Sequence, residues 1–325
     1  MQKYQQLPKA HIGMVKNAYA TGNTQLTKMA DKVNQLSGTF QILPDFLGSD
    51  QPRTYALMAM TTSEERSSGG LIGSVGVVTT DNGKIGIGDF RSNGEYIPYG
   101  AGDPTEDEQR IFRQWGPLNM SFDVRDLAVY PDTSRSAEGM RAIWQRTPWG
   151  SNTQLDGVLM VDPVFLQELT KISGNVTIPD GTVLTGDNTA EFLLNKVYVD
   201  YPVSMQDALF AQVAEQAVGS MFSNIDLAKL TKVAQLMGSM AEGRHFSMYA
   251  FDETAEKTIS DAGFTAQTPS SEEHPQVGVY VTEQNPSKMG WYIHRTSKVT
   301  RSTCGPLSIC KCNSLVGSLS LAVRR

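Results

Sequence analysis

Two apolar runs set the reading of this chain. Residues 54–60 (TYALMAM) and 71–79 (LIGSVGVVT) are apolar runs of strand length. The second run closes on Asp81, Asn82 and Gly83, residue types that supply the positive backbone angles of a tight hairpin. Residues 156–161 (DGVLMV) form a third run, followed directly by Asp162 and Pro163. That pair predicts a helix start, because the carboxylate caps free N–H groups and proline at the first helical position sacrifices no hydrogen bond. Val164, Phe165, Leu166, Leu169 and Ile172 continue it, and Gly174 is placed to end it. A strand over 175–178, closed by Pro179, Asp180 and Gly181, completes a βαβ-like unit.

Further helices are predicted over 135–144 with Asp132 near its start, from Asn188 and Glu191 (a capping box) through Tyr198, over 205–221 from Ser204, and over 225–240. Strand character returns at 246–251 and 291–293. Toward the N-terminus, Ile12, Val15, Tyr19, Leu26, Met29, Val33 and Leu36 approach a helical period broken by Gly13 and Gly22. Residues 90–117, rich in Gly, Pro and acids, predict a long surface excursion. The fold class is α/β (α+β): a mixed central sheet sandwiched by helices, with an N-terminal helical arm or stalk over 1–45, a domain over 46–300 and an irregular or truncated tail over 301–325.

Composition narrows the function classes. With 28 Lys and Arg against 34 Asp and Glu the net charge is -6, and no basic cluster interleaves with aromatics, which argues against nucleic acid as a partner. No run of eighteen apolar residues is present to span a bilayer. Cys304, Cys310 and Cys312 crowd the C-terminus, and His11, His245, His274 and His294 show no ligand spacing with them. Gly86 and Gly88 lack the third glycine of a dinucleotide fingerprint, since Arg91 stands there. Ser74 lies in GSVG, but Ile72 occupies the place where a nucleophile elbow needs glycine.

The candidate chemistry sits between the first two strands, in EERSSGG. Arg66 beside Gly69 and Gly70 at a strand edge is an oxyanion or phosphate cradle, through paired guanidinium hydrogen bonds and close main-chain approach, or else a solvated loop arginine beside turn glycines. The pattern alone favours the second. The acidic pairs Glu64 with Glu65 and Asp123 with Asp126 serve acid–base work or a cation only if they converge in space. Trp144, Trp149, Phe165 and Phe192 read first as core or groove-lining residues, with a platform that stacks on carbohydrate faces as the alternative.

The run PRTYALMAMTTSEERSSGGLIGSVGVVTTDNGKIGI resembles a bacterial, actinobacterial envelope family catalogued as domain of unknown function 4012. Glu64, Arg66, Gly69, Gly70, Gly73, Asn82 and Gly83 carry the likeness, which continues through DGVLMVDP, TGDN, RHFSMYAFD and SKMGWYIHR over about residues 5–300. It implies a body at the cell surface, held to the membrane by an N-terminal anchor absent from this chain. A looser resemblance links Arg66, residues 75–79, Arg91 and residues 157–174 to the LytR-CpsA-Psr group, which transfers glycopolymers from polyprenyl pyrophosphate to the cell wall. This implies a ligand site of Arg66, Arg91, Gly69, Gly70 and Ser68, with Glu64, Asp89 and Asp132 as polar partners. Ser68 and Ser92 replace the acids that group carries after its two arginines. Two expectations follow: a domain that binds an envelope glycopolymer or a polyprenyl-linked saccharide without catalysis and with no certain cofactor, or a divergent phosphotransferase in which both arginines clamp pyrophosphate and Mg shares the charge.

Overall fold

The computed structural model describes residues 37–38, 40–114, 119–222, 227–271, 278–283, 287–300 and 316–323. Its centre is a sheet in the order β3-β2-β1-β5-β8, with β4 also on β2. β1 (Arg53–Arg66) pairs antiparallel with β2 (Gly69–Asp81), which turns through Asn82 and Gly83, at φ 48 and 81, into β3 (Lys84–Ile87). β4 (Arg91–Ser92) pairs with Ser74 and Val75. On its other side β1 runs parallel to β5 (Gly157–Val161), and β5 pairs antiparallel with β8 (Phe246–Ala250). The continuous apolar character of 54–60 follows from this central place, since a strand covered on both faces buries both sets of alternating side chains. Tyr55 and Leu57 enter one core with Val78 and Leu159, while Ala56, Met58 and Met60 enter the other with Val75 and Met160.

Helices fill the two faces. α1 (residues 40–46) puts Ile42 into the first core, and its following residues bind the β2–β3 turn: Asn82 N–H donates to the Gly48 carbonyl and Gly83 N–H to that of Leu47. α2 (Thr133–Trp144) covers the second core with Ala137, Met140, Ile143 and Trp144. The first core lies under α3 (Pro163–Ser173), α4 (Val203–Phe222), α5 (Leu227–Glu242) and α6 (Glu253–Asp261). Together they give the expected mixed sheet between helical layers. Among the described residues no helix is long and apolar enough to cross a membrane.

Several local expectations hold. Asp162 Oδ1 accepts from the N–H groups of Val164 and Phe165 at 2.9 and 3.0 Å, and Gly174 ends α3 at φ 99. Others change. Residues Val176–Thr177 (β6) do not join the main sheet; they pair only with Val183–Leu184 (β7), so strand, helix and strand do not close a parallel βαβ unit. Asn188 stands at a helix start, yet its side chain accepts from Thr185 N–H at 2.7 Å instead of capping. Of the expected 90–117 excursion, the described residues 90–114 are partly buried, because Tyr96 fills the second core at 1% exposure. Residues 288–292 are a 3-10 turn, with strand β9 starting only at Ile293 (Ile293–Thr300) and pairing with β10 (Val316–Val323) inside the stretch expected to be irregular. Residues 1–36 and the three cysteines lie outside the described residues.

The α3 cap carries a pH-sensitive contact. His245 Nδ1 lies 2.6 Å from Asp162 Oδ2, whose side chain is fully buried, and that hydrogen bond raises the imidazole pKa above 6.5 against the opposing effect of burial. A histidine whose pKa is raised by folding stabilises fully below its unfolded pKa, and the contribution is lost as pH rises through the folded value. The melting temperature of the wild type is therefore expected to fall relative to that of His245→Gln between about pH 6 and pH 8. Parallel pH profiles for the two proteins would show the contact to be uncoupled from stability.

Candidate functional site

The polar half of β1 builds the site. Two interruptions of the β1–β2 ladder shape it. Ala59 pairs with Ser74 and Met60 with Ile72, so Gly73 is an extra residue on β2. Thr61 pairs with Leu71 and Glu65 with Gly70, so Thr62, Ser63 and Glu64 are extra on β1. Bulges of this kind bend a strand and re-aim its side chains. The second depends on Gly70, where a Cβ would lie 2.1 Å from the Thr61 carbonyl oxygen. Around Gly73 the space is open, with the nearest heavy atom 3.8 Å from a Cβ.

Arg66 locks the end of this hairpin. Its Nε and Nη2 donate to Asp126 Oδ1 at 3.1 and 3.0 Å, and Nη1 donates to the carbonyls of Glu65 and Glu283 at 3.0 and 3.3 Å. The other Asp126 oxygen accepts from the backbone N–H and hydroxyl of Ser121 at 2.9 and 2.8 Å. Glu283 N–H in turn donates to Glu65 O at 3.0 Å, and Ser67 meets Thr282 through their hydroxyls at 3.1 Å. One buried guanidinium thus joins β1, the 3-10 turn Val124–Val129 and residues 282–283.

Beside this knot opens a cleft of about 640 Å³. Its apolar surface comes from Met60 and Leu71 of the sheet, Met120, Tyr198, and Val203 and Phe210 of α4. Ser74, Ser92, Asn93 and Gln206 add neutral polar groups. Its charged lining comprises Glu64, Arg66, Arg125, Asp126 and Lys288. Arg125 is held by Asp123 in a two-pronged pair, Nε to Oδ1 at 3.0 Å and Nη2 to Oδ2 at 2.6 Å. Lys288 Nζ is ion-paired with Glu64 and lies 4.1 Å from the Tyr198 ring centroid. Burial pushes the Tyr198 phenol pKa up, against opposing contributions from Lys288 and Thr61.

The residues expected to form a ligand site separate. Arg66 and Glu64 line the cleft; Arg91, Asp89, Asp132, Ser68, Gly69 and Gly70 do not. Arg66 lies at the end of β1, beyond the stretch that pairs with β5, and is 2% exposed rather than solvated. Arg91 pairs with Glu95 at 3.0 Å and stacks 4.3 Å from the Trp149 ring centroid, so the two guanidiniums do not form one clamp in the cleft. Ser68 is buried, donating its backbone N–H to Ala128 O and its hydroxyl to Tyr130 O. Asp132 precedes α2 without capping it; it accepts from the backbone and hydroxyl of Thr268, tying residues 265–268 to the helix start. Asp89 is exposed. Glu64 and Asp126 are each paired with a cation, and among the described residues no three His, Cys, Asp or Glu gather as a metal site. Lys288, Tyr198, Arg125 and Phe210 escaped the sequence reading; the only signal was Lys288 inside the SKMGWYIHR run.

Residues 50–198 match the family described as Protein of unknown function (DUF4012). The matched segment spans β1 and β2, the Arg66–Asp126 pair and the cleft floor, and stops before Val203, Phe210 and Lys288. No curated protein matches the chain. Among solved structures, the transcriptional regulator yvhJ from Bacillus subtilis is similar at 11% identity and a TM-score of 0.30, over 65% of this chain and 76% of that one. The Lin1025 protein from Listeria innocua is similar at 8% identity and a TM-score of 0.32, over 66% and 79%.

Proposed function

We propose that this chain is the ligand-binding body of a cell-envelope protein, anchored at the surface, that holds a glycopolymer or a polyprenyl-linked saccharide without turning it over. The observation that carries the reading is the cleft's two-part character: Met60, Leu71, Val203 and Phe210 offer apolar contact, and Lys288, Arg125, Ser74 and Asn93 offer polar contact in the same space. Its volume falls in the range of pockets that enclose small organic ligands. An amphiphile with an apolar chain and a polar or anionic head matches both parts. The resemblance to envelope families supplies the ligand class and the setting.

The transferase alternative gains no support from the geometry. It requires Arg66 and Arg91 on one pyrophosphate, yet Arg91 lies outside the cleft and most Arg66 donors are engaged within the protein. Binding is tested with a short prenyl phosphate, farnesyl phosphate, titrated against the wild type and Gly73→Leu. The added side chain enters open space beside the cleft, so saturable binding to the wild type and its loss in the variant are expected. Equal binding by both proteins would place the ligand elsewhere.

A further inference from the structure

Resting on that reading of the cleft, we infer that Lys288 is its anion receptor, and that Glu64 is an internal stand-in which a phosphate ester displaces on binding. The three cations in the cleft are not equivalent. Arg66 is 2% exposed and held by Asp126 and two carbonyls, and Arg125 is clasped by the buried Asp123 through two nitrogens. Lys288 differs from Arg66 in side-chain exposure, 32% against 1%, and from the 40% exposed Arg125 in its partner: its carboxylate, Glu64, makes a single contact and stands on the looped-out segment of β1. An ammonium carries three donors and is a point charge, so it re-aims toward a new anion more readily than a clasped guanidinium.

The second partner of Lys288 makes the exchange possible. The Tyr198 ring sits 4.1 Å from Nζ, and an aromatic face attracts a cation without consuming its charge-assisted hydrogen bonds. The ammonium therefore keeps its position when Glu64 leaves. Glu64 is itself one of three β1 residues with no register partner on β2, so its side chain is free to swing without shifting the paired register. With Glu64 paired, the empty cleft carries no exposed unbalanced lysine; with phosphate bound, the anion takes that place and the apolar chain lies against Met60 and Phe210. The recognised group is a phosphate ester, from a lipid head or from a soluble sugar phosphate.

The exchange is tested by isothermal titration of the folded chain with farnesyl phosphate, farnesol and glucose 1-phosphate, with melting temperatures as a check on folding. Glu64→Gln removes the competing charge and keeps the shape, so it is expected to tighten farnesyl phosphate binding about threefold to tenfold. Lys288→Met is expected to weaken it at least about tenfold, and neither change is expected to alter farnesol binding. Weaker or unchanged phosphate binding in Glu64→Gln overturns the exchange, as does Lys288→Met binding like the wild type. Farnesyl phosphate binding far tighter than glucose 1-phosphate supports the exchange with a lipid source; equal binding of the two, with the same response to both variants, supports it with a soluble source. If Gly73→Leu still blocks farnesyl phosphate while the Glu64 and Lys288 variants change nothing, the cleft stands and the exchange fails. If Gly73→Leu changes nothing either, the cleft reading itself fails.

Discussion

Asp126→Ala is expected to destabilise the protein by about 3–5 kcal/mol, because it leaves the Arg66 guanidinium buried without its counter-charge. The side chains of this pair are 1% and 11% exposed, so water cannot replace the lost carboxylate. Both Asp126 oxygens are in use, one by Arg66 and one by Ser121, and the substitution therefore strips partners from two segments at once. The double variant Arg66→Met/Asp126→Leu is expected to recover part of the loss, since it removes the unpaired buried charge but still leaves Ser121 and the Glu65 and Glu283 carbonyls without these partners. Chemical denaturation of the wild type, Arg66→Met, Asp126→Leu and their double variant measures this as a cycle, with Asp126→Ala alongside. A cost below about 1 kcal/mol for Asp126→Ala would assign the pair the weak role of a surface salt bridge.

Gly70→Ala is expected to cost about 3 kcal/mol, at the upper end of overpacking in a close-packed region. The added methyl would lie 2.1 Å from Thr61 O and 2.3 Å from its carbonyl carbon, both main-chain atoms that cannot rotate away. Relief requires the β1 bulge to open, which would also move Glu64 relative to Lys288. Gly73→Ala, three residues along the same strand, is expected to change stability by less than about 0.5–1 kcal/mol because its Cβ meets nothing closer than 3.8 Å. Thermal melts of the two variants separate the cases. Equal losses would mean that the bulge does not depend on the close approach at Gly70.

The elements most legible in the sequence were those whose local chemistry decides the structure. Asp162 and Pro163 start α3 because both act within the first turn, and Asn82 and Gly83 turn β2 into β3 through their own backbone angles. What local pattern could not supply was the partner. Residues 175–178 have strand composition, but nothing in them says that β7 rather than the central sheet receives them. Residues 61–66 (TTSEER) read as the polar end of a strand leading into a loop, yet β1 continues through them, and its charged side chains Glu64, Glu65 and Arg66 are each met from afar. Arg66 meets Asp126, sixty positions away, and Glu64 meets Lys288, 224 positions away.

The same limit explains the site. Arg66 was singled out for the right chemistry, fork-shaped hydrogen bonding to an anion, but the anion is the chain's own Asp126. Arg91 carries the same chemistry and is held by Glu95 and Trp149 at another place on the sheet. Glycines 69 and 70 were read as room for a ligand; at Gly70 that room is filled by the Thr61 carbonyl, and the open glycine is Gly73. Lys288 had no local signature of function, since a lone lysine after Pro286 and Ser287 and two residues before Gly290 is the ordinary pattern of a solvated turn.

The measurement that bears most directly on the cleft as the ligand site is a titration of farnesyl phosphate into wild type and Gly73→Leu at matched folded fraction. Saturable wild-type binding, weakened at least about tenfold by the leucine with the melting temperature little changed, is the result expected. Absence of saturable binding to the wild type, or an unaltered isotherm for Gly73→Leu, would contradict it.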